Sequence, residues 1–309
     1  MVNWLNKVFA AGERIKAAIR KRATKEEIAQ SNYVACCIGP ISKEELKVNL
    51  YVCPHCSKHF KLTPAQRFKY LFDSGNYETF KTPHPIDDPL RFKAAKPYID
   101  QLRSARKKTG LNCSMVVASG EINKIKCTVV ASDFSFMGAS VEAAEGEAIL
   151  YAAMHAIENK QPLIIVAQGG GMRMQASMIS LSQMPRITLA INEVKTAGLP
   201  YIVVMSDPVA GGITASYAML GDIHIAEPNA TVAFAGRRVI QGTVKEELPL
   251  GFQQAQAVLD SGFIDKICER KNLNDEIGKL LSILLKKNSV STEEIDETSD
   301  DTQQTSKTA

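Results

Sequence analysis

Two stretches of the chain share one pattern, and it limits what the chain can fold into. Pro162-Leu-Ile-Ile-Val-Ala-Gln-Gly-Gly-Gly171 and Pro200-Tyr-Ile-Val-Val-Met-Ser-Asp-Pro-Val-Ala-Gly-Gly212 each run from an unbroken apolar segment into glycines. A short continuous apolar run rich in β-branched residues reads as a strand buried on both faces, and such strands belong to parallel sheets covered by helices. Two copies of strand, glycine turn and helix start imply a stacked ββα unit with equivalent strand ends side by side. Further short apolar runs at 114–118, 127–131, 223–226 and 231–234 join those at 163–167 and 201–205. Helical patterns at 141–159, 174–197, 213–220 and 253–261 alternate with them, which is α/β texture.

The rest of the chain divides around this region. Residues 1–30 carry seven Lys or Arg against three Glu, with Trp4, Leu5, Val8 and Phe9 near the start, and read as a basic extension. Residues 31–62 form a short cysteine-bearing module, 63–287 the large domain, and 288–309 a polar tail with little to bury. Thr63-Pro64 is a helix N-cap followed by a first-turn proline, and Thr82-Pro-His-Pro85 marks a loop. With 45% hydrophobic and 23% charged residues among 309, the chain has ample core material. Its 37 basic and 33 acidic residues give a net charge of +4, too mild to define a nucleic-acid binder. No run reaches the length of a membrane span and no secretion signal opens the chain, so a cytoplasmic protein is expected.

Glycine turns at strand ends have a chemical use. Backbone N–H groups at a helix start suit anionic oxygen, and glycine lets a ligand approach them closely. Aimed at a developing oxyanion, each such donor is worth about 3–4 kcal/mol of transition-state stabilisation. Gly211-Gly212 and Gly170-Gly171 both fit that role, or that of plain tight turns. The sequence holds no nucleophile elbow, P-loop, dinucleotide fingerprint or zincin motif. Such a site is rich in donors and poor in bases, and suits a reaction whose proton acceptor arrives with a substrate.

Gly170-Gly-Met-Arg-Met-Gln175, Asp207-Pro-Val-Ala-Gly-Gly-Ile-Thr-Ala-Ser-Tyr-Ala-Met-Leu-Gly-Asp222, Ile225-Ala-Glu-Pro228, Phe234-Ala-Gly-Arg-Arg-Val-Ile240 and Glu246-Glu-Leu-Pro-Leu-Gly-Phe-Gln253 carry a resemblance. With Asn49-Leu-Tyr-Val-Cys-Pro-His-Cys56 upstream, they resemble the carboxyltransferase β-subunit family of bacterial and plastid multi-subunit acetyl-CoA carboxylases. The resemblance covers residues 31–287 and implies a crotonase-like ββα superhelix behind a small zinc-ribbon-like module. It implies a partner α subunit of the same fold in an α2β2 assembly, with a shared active site. Biotin on a separate biotin carboxyl carrier protein, charged by biotin carboxylase, would deliver its carboxyl to a coenzyme A thioester, acetyl-CoA, giving malonyl-CoA for fatty-acid synthesis. Decarboxylated biotin would itself accept the acetyl α-proton. Gly211 and Gly212 match the family's oxyanion-hole pair, and Gly170 and Gly171 are assigned to thioester positioning. Arg173 is a candidate contact for a coenzyme A phosphate or for the partner subunit, with a plain surface arginine as the alternative. Arg237 and Arg238 are expected at the subunit interface.

The family's zinc ribbon has the form C-x2-C-x15-C-x2-C, a tetrahedral thiolate pattern. Here Cys37, Cys53 and Cys56 keep three positions, and Val34 stands at the fourth. Cys36 is the neighbouring substitute, though adjacent side chains tend to diverge; His55 or His59 are nitrogen alternatives. Cys113, Cys127 and Cys268 read as packing cysteines. Arg103, Arg106, Lys107 and Lys108 read as a solvated helix face, and Met172, Met174, Met178 and Met184 as a buried helical stripe, with Pro185 kinking that helix. Two rival functions remain: a zinc-ribbon regulator binding RNA or DNA on this scaffold, and a carboxyltransferase for a longer acyl-CoA.

Overall fold

The computed structural model describes residues 32–36, 39–245 and 247–286, without the side chains of Arg238 and Val244. The expected basic extension, polar tail and Cys37 ligand lie outside the described residues. At the N-terminal side, strands β1 (Tyr33–Ala35) and β2 (Pro40–Ser42) pair antiparallel, Val34 opposite Ile41. Helix α1 (Lys43–Val48) follows, capped by the Ser42 hydroxyl on the Glu45 amide. Ile41, Leu46 and Cys53 make a small core of their own.

Helix α2 (Pro64–Leu71) starts as the sequence predicts. Thr63 and Gln66 form a reciprocal capping box, with proline where its missing N–H has no partner to lose. Strand β3 (Tyr77–Phe80), helix α3 (Tyr98–Thr109), and strands β4 (Met115–Ile122) and β5 (Ile125–Ser132) come next. Then follow α4 (Ala143–Glu158), β6 (Leu163–Gly169), α5 (Ser177–Leu181), α6 (Gln183–Thr196) and β7 (Tyr201–Ala210). The chain continues through β8 (Ile223–Ala226), β9 (Val232–Ala233), α7 (Arg237–Val244), α8 (Ala255–Asp260), β10 (Lys266–Ile267) and α9 (Leu273–Leu284).

One mixed sheet has the order β10-β8-β7-β6-β5-β4-β3, and β9 pairs with the far end of β7. From β5 to β10 neighbouring strands are parallel; β3, β4 and β5 are antiparallel. Alternation along the two repeated strands builds two cores. Leu163, Ile165, Ala167, Tyr201, Val203 and Met205 face α4 and α6, while Ile164, Val166, Ile202 and Val204 face α2 and α9. Burial of both faces explains why neither strand alternates in sequence. The sheet brings the C-terminal ends of β6 and β7 side by side, Gly169 opposite Val209.

Two helix expectations need correction. Residues 213–220 form consecutive turns and one short 3-10 segment, Tyr217–Met219. Hydroxyls compete for carbonyls that a helix would use: Thr214 Oγ1 donates to Gly211 O at 2.8 Å and Ser216 Oγ to Gly212 O at 2.6 Å. The 174–197 region is three pieces: a 3-10 turn at Met174–Ala176, then α5 and α6. Pro185 falls in the first turn of α6, where its lost N–H has no intrahelical partner, so the break precedes it. The methionine stripe therefore does not lie on one buried face. Met174 and Met178 are exposed, and only Met172 and Met184 pack inward. Cys113, Cys127 and Cys268 are buried as expected. No described helix is long and apolar enough to cross a membrane.

Candidate active site

The two glycine turns meet. A Cβ built on Gly171 would lie 3.4 Å from the Gly212 nitrogen, and one on Gly211 would lie 3.3 Å from the Gly171 Cα. Gly171 has φ +120° and Gly211 φ +63°, conformations that other L residues adopt only with strain. The turn after β6 is held from outside: Val141 N donates to Gly171 O at 3.0 Å, and Arg173 N to Val141 O at 2.8 Å. The turn after β7 is held by its neighbour strand. Gly211 N donates to Phe234 O at 2.9 Å and to Ala233 O at 3.2 Å.

Of the expected pair Gly211 and Gly212, the Gly211 amide is engaged by backbone carbonyls. The N–H groups of Gly171 and Gly212 make no hydrogen bond among the described residues. Met172 N and Thr214 N make none either, but Gly171 and Gly212 are the unengaged glycine amides, one in each turn, with Gly170 N tied to Gly138 O at 3.2 Å. Because 213–220 is not a helix, these are individual amide dipoles and owe nothing to a helix macrodipole. Met172 and Met184 close one side: a Cβ on Gly212 would fall 2.4 Å from Met172 Cγ and 3.2 Å from Met184 Sδ.

Arg173 is neither a surface arginine nor available to a phosphate. Its side chain is 1% exposed, and all five guanidinium donors have partners. Nη1 reaches Glu142 Oε2 at 2.8 Å and Tyr98 Oη at 3.1 Å; Nη2 reaches Glu145 Oε1 at 2.7 Å and Ser140 O at 2.6 Å; Nε reaches Ser140 Oγ at 3.1 Å. Tyr98 Oη also donates to Glu142 Oε2. Burial alone would lower the Arg173 pKa, but the carboxylates of Glu145 and Glu142 outweigh it and raise it. Burial pushes the Tyr98 phenol far up. The cluster fastens the chain just beyond Gly171 to the start of α4 and to α3, so Arg173 positions the turn. Reasoning from sequence missed Tyr98, Glu142 and Glu145; two glutamates at the start of an otherwise Ala-rich buried helix were the available signal.

A second buried ionic group lies at the strand ends nearer the N-terminal module. Glu227 Oε1 accepts from Arg67 Nη1 at 2.7 Å and Arg270 Nε at 2.8 Å, and Arg67 also reaches Ser206 Oγ at 2.9 Å. Burial opposes ionisation of Glu227, yet Arg67 and Arg270 hold its pKa well below the usual carboxylate range. Arg270 in turn donates to Leu50 O at 2.8 Å and Phe60 O at 3.1 Å, which ties the module to the large domain.

The cysteine cluster forms around Cys36. Its Sγ lies 3.1 Å from that of Cys53 and 3.2 Å from that of Cys56, and all three sulfurs fall within 4.8 Å of one another. The side chain expected to diverge is thus the one that joins the knuckle. Three converging thiols fit a thiophilic metal ion, whose tetrahedral thiolate shell has sulfurs about 3.8 Å apart at Zn–S distances of about 2.3 Å. His55 is exposed. His59 is outside the cluster, with both ring nitrogens buried and without a hydrogen-bond partner among the described residues. Burial lowers the His59 pKa against the opposing charge of Glu227.

Surface residues sort as follows. Arg103, Lys107 and Lys108 are exposed as expected, but Arg106 grips Asp87 through both terminal nitrogens at 2.6 Å. Lys61 sits over the Phe134 ring at 3.0 Å. Arg237 Nη2 donates to Pro249 O at 2.9 Å. Large apolar side chains stand exposed beyond both glycine turns, among them Met174 (86%), Met178 (67%), Phe234 (70%) and Val239 (61%).

Residues 61–308 match the model of the carboxyl transferase domain family. The chain is 58% identical over 308 residues, the whole of both chains, to the acetyl-coenzyme A carboxylase carboxyl transferase subunit beta of Pelagibacter ubique. It is 44% identical to the same subunit of Dinoroseobacter shibae over 286 residues, 92% of this chain and 88% of that one. Among solved structures, transcarboxylase 12S superposes with a TM-score of 0.57 at 24% identity, over 72% of this chain and 41% of that one. A Pseudomonas malonate decarboxylase hetero-dimer superposes with a TM-score of 0.54 at 20% identity, over 73% of this chain and 86% of that one. These two likenesses establish a common fold.

Proposed function

Because the chain belongs to the carboxyl transferase domain family, among the beta subunits of acetyl-coenzyme A carboxylase carboxyl transferase, we propose that its two glycine turns form the oxyanion-stabilising half of a shared active site. The reaction is carboxyl transfer to acetyl-CoA, in service of fatty-acid synthesis, on the crotonase-like α/β fold described above. The observation that carries the assignment is the juxtaposition of two unengaged amides, Gly171 and Gly212, at adjacent parallel strand ends.

An enolate oxygen of the acetyl thioester accepts from the Gly171 and Gly212 N–H groups. The donors are fixed before charge develops, which is the condition under which they lower the barrier most. Gly211 and Gly170 shape the two turns, and Arg173 with Glu142, Glu145 and Tyr98 holds the first of them in place. Met172 and Met184 pack beside Gly212 on the side where a Cβ would stand. Among the described residues, the groups placed at the turns include no base. The α-proton goes to the carboxyl donor's own ring once its carboxyl has left, so the chain orients two reactants and stabilises charge.

The donor is biotin on its carrier protein, loaded by biotin carboxylase, and the missing half-site comes from an α subunit in an α2β2 complex in the cytoplasm. Apolar side chains left exposed beyond both turns support that pairing. Residues 31–62 act as a separate small module packed on a domain spanning 63–287. Cys36, Cys53 and Cys56 would hold a zinc ion, which would cross-link this module.

Malonyl-CoA-dependent carboxylation of biotin, the reverse reaction, tests the reading. Activity is expected when the chain is mixed with the α subunit and not from either alone. An assembled complex without activity would overturn it.

A further inference from the structure

The register between β6 and β7 slips just before the two glycine turns. Ala167 on β6 faces Met205 on β7, and the next pair is Gly169 with Val209. A single residue of β6, Gln168, therefore stands opposite Ser206, Asp207 and Pro208 of β7, which bulges. A regular ladder would place Asp207 opposite Gly169, and at about 3.3 Å per residue the second turn would then stand roughly 6.6 Å too far along for Gly212 to meet Gly171. The slip is what brings the two unengaged glycine amides together.

The bulged residues have no strand partner on the far side either, since β7 pairs with β8 up to Met205 and with β9 from Val209. Hydrogen bonds with side chains hold them instead. Arg67 Nη2 donates to Ser206 Oγ at 2.9 Å, and Thr231 N donates to Asp207 Oδ1 at 3.0 Å. From the β6 side, the buried Gln168 donates through Nε2 to Asp207 O. Turned the other way, its amide would set Oε1 against a carbonyl oxygen, so the chemistry fixes its orientation. Of these three bonds, that of Gln168 comes from the strand that carries Gly171, three residues further on.

We propose that Gln168 is a positioning residue for carboxyl transfer: its side-chain amide holds the bulge of β7 and thereby sets the spacing between the Gly171 and Gly212 donors. The inference rests on those two amides being the oxyanion donors. A donor held about 1 Å out of place loses much of the benefit of preorganisation, at a cost of up to about 100-fold in rate.

Gln168→Met keeps the length of the side chain and removes the N–H. In the assembled α–β complex, biotin carboxylation from malonyl-CoA should then show kcat lowered about ten- to 100-fold, with KM for malonyl-CoA within about threefold of the parent. A role exerted through the donors is also non-additive. With Gly171→Ala already in place, Gln168→Met should lower kcat by less than about threefold more. A parent-like kcat for Gln168→Met, a loss confined to KM, or the full loss repeated on top of Gly171→Ala would overturn the proposal. Should Gln168→Met not assemble with the α subunit, Gln168→Glu, which has the same shape and when ionised no proton to donate, is read by the same outcomes. Gly171→Ala alone reports on the donors. If it keeps the parent kcat, the donor assignment falls; if it is crippled and Gln168→Met is not, only the positioning role falls.

Discussion

Gly171→Ala and Gly211→Ala separate the two glycine turns by function, although both substitutions impose backbone strain. At Gly171 the new methyl carbon would stand 3.4 Å from the Gly212 nitrogen and 3.5 Å from Ala210 O. An oxygen accepting from Gly212 needs to sit about 2.9 Å from that nitrogen, in space the methyl now fills. Losing one preorganised donor lowers kcat by about 100- to 1000-fold, roughly 2.7–4 kcal/mol. At Gly211, φ +63° makes alanine cost about 1–2 kcal/mol of stability, but its N–H already serves Phe234 O and Ala233 O. Both variants should therefore melt lower, and only Gly171→Ala should be catalytically crippled. Biotin carboxylation from malonyl-CoA by the assembled complex gives kcat, with Gly211→Ala expected within about tenfold of the parent. Equal losses in the two variants, or Gly171→Ala within about fivefold of the parent, would refute the assignment of the donors.

Glu227→Gln leaves Arg67 and Arg270 facing each other without a counter-charge, and urea unfolding should show a loss of about 3–5 kcal/mol. Burial holds the folded pKa of His59 and of His155 below the unfolded value of about 6.5, so the unfolded chain binds the protons first. Their stabilising contribution is complete above that pH and shrinks as pH falls toward the folded values; melting between pH 8 and 5.5 should show the decline, and His59→Gln with His155→Gln should flatten it. Cys36→Ser should lower the zinc bound per chain measured by metal analysis, while Cys113→Ser, at a buried packing cysteine, should leave zinc content unchanged.

Much of this was legible in the residues. Leu163 to Ala167 and Tyr201 to Met205 had to be buried strands because no polar residue interrupts them, and the glycines after each run marked where the chain must turn tightly. Thr63-Pro64 fixed a helix start through local capping alone. Family motifs supplied the reaction. What failed did so where local pattern competes with tertiary partners. The apolar spacing of 213–220 suggested a helix, yet Thr214 and Ser216 return their hydroxyls to nearby carbonyls. Arg173 was open to a phosphate, a partner subunit or solvent on sequence alone, because its ionic partners are distant in the chain. Its carboxylates sit 28 and 31 residues away and meet it only when α4 packs beside β6.

The sequence by itself determined which segments are strands, where glycine must stand and which chemistry the chain inherits, because propensity, burial pattern and backbone freedom are local properties. Tertiary structure decided which glycine amides of the two turns are engaged. Gly211 and Gly212 are equivalent as letters, but the register of β9 on β7 puts the Ala233 and Phe234 carbonyls against one of them. It likewise brought Cys36 to Cys53 and Cys56 from across the module. A hydrogen bond is satisfied or not by what lies across a distance of about 3 Å, and for these atoms that neighbour comes from elsewhere in the chain.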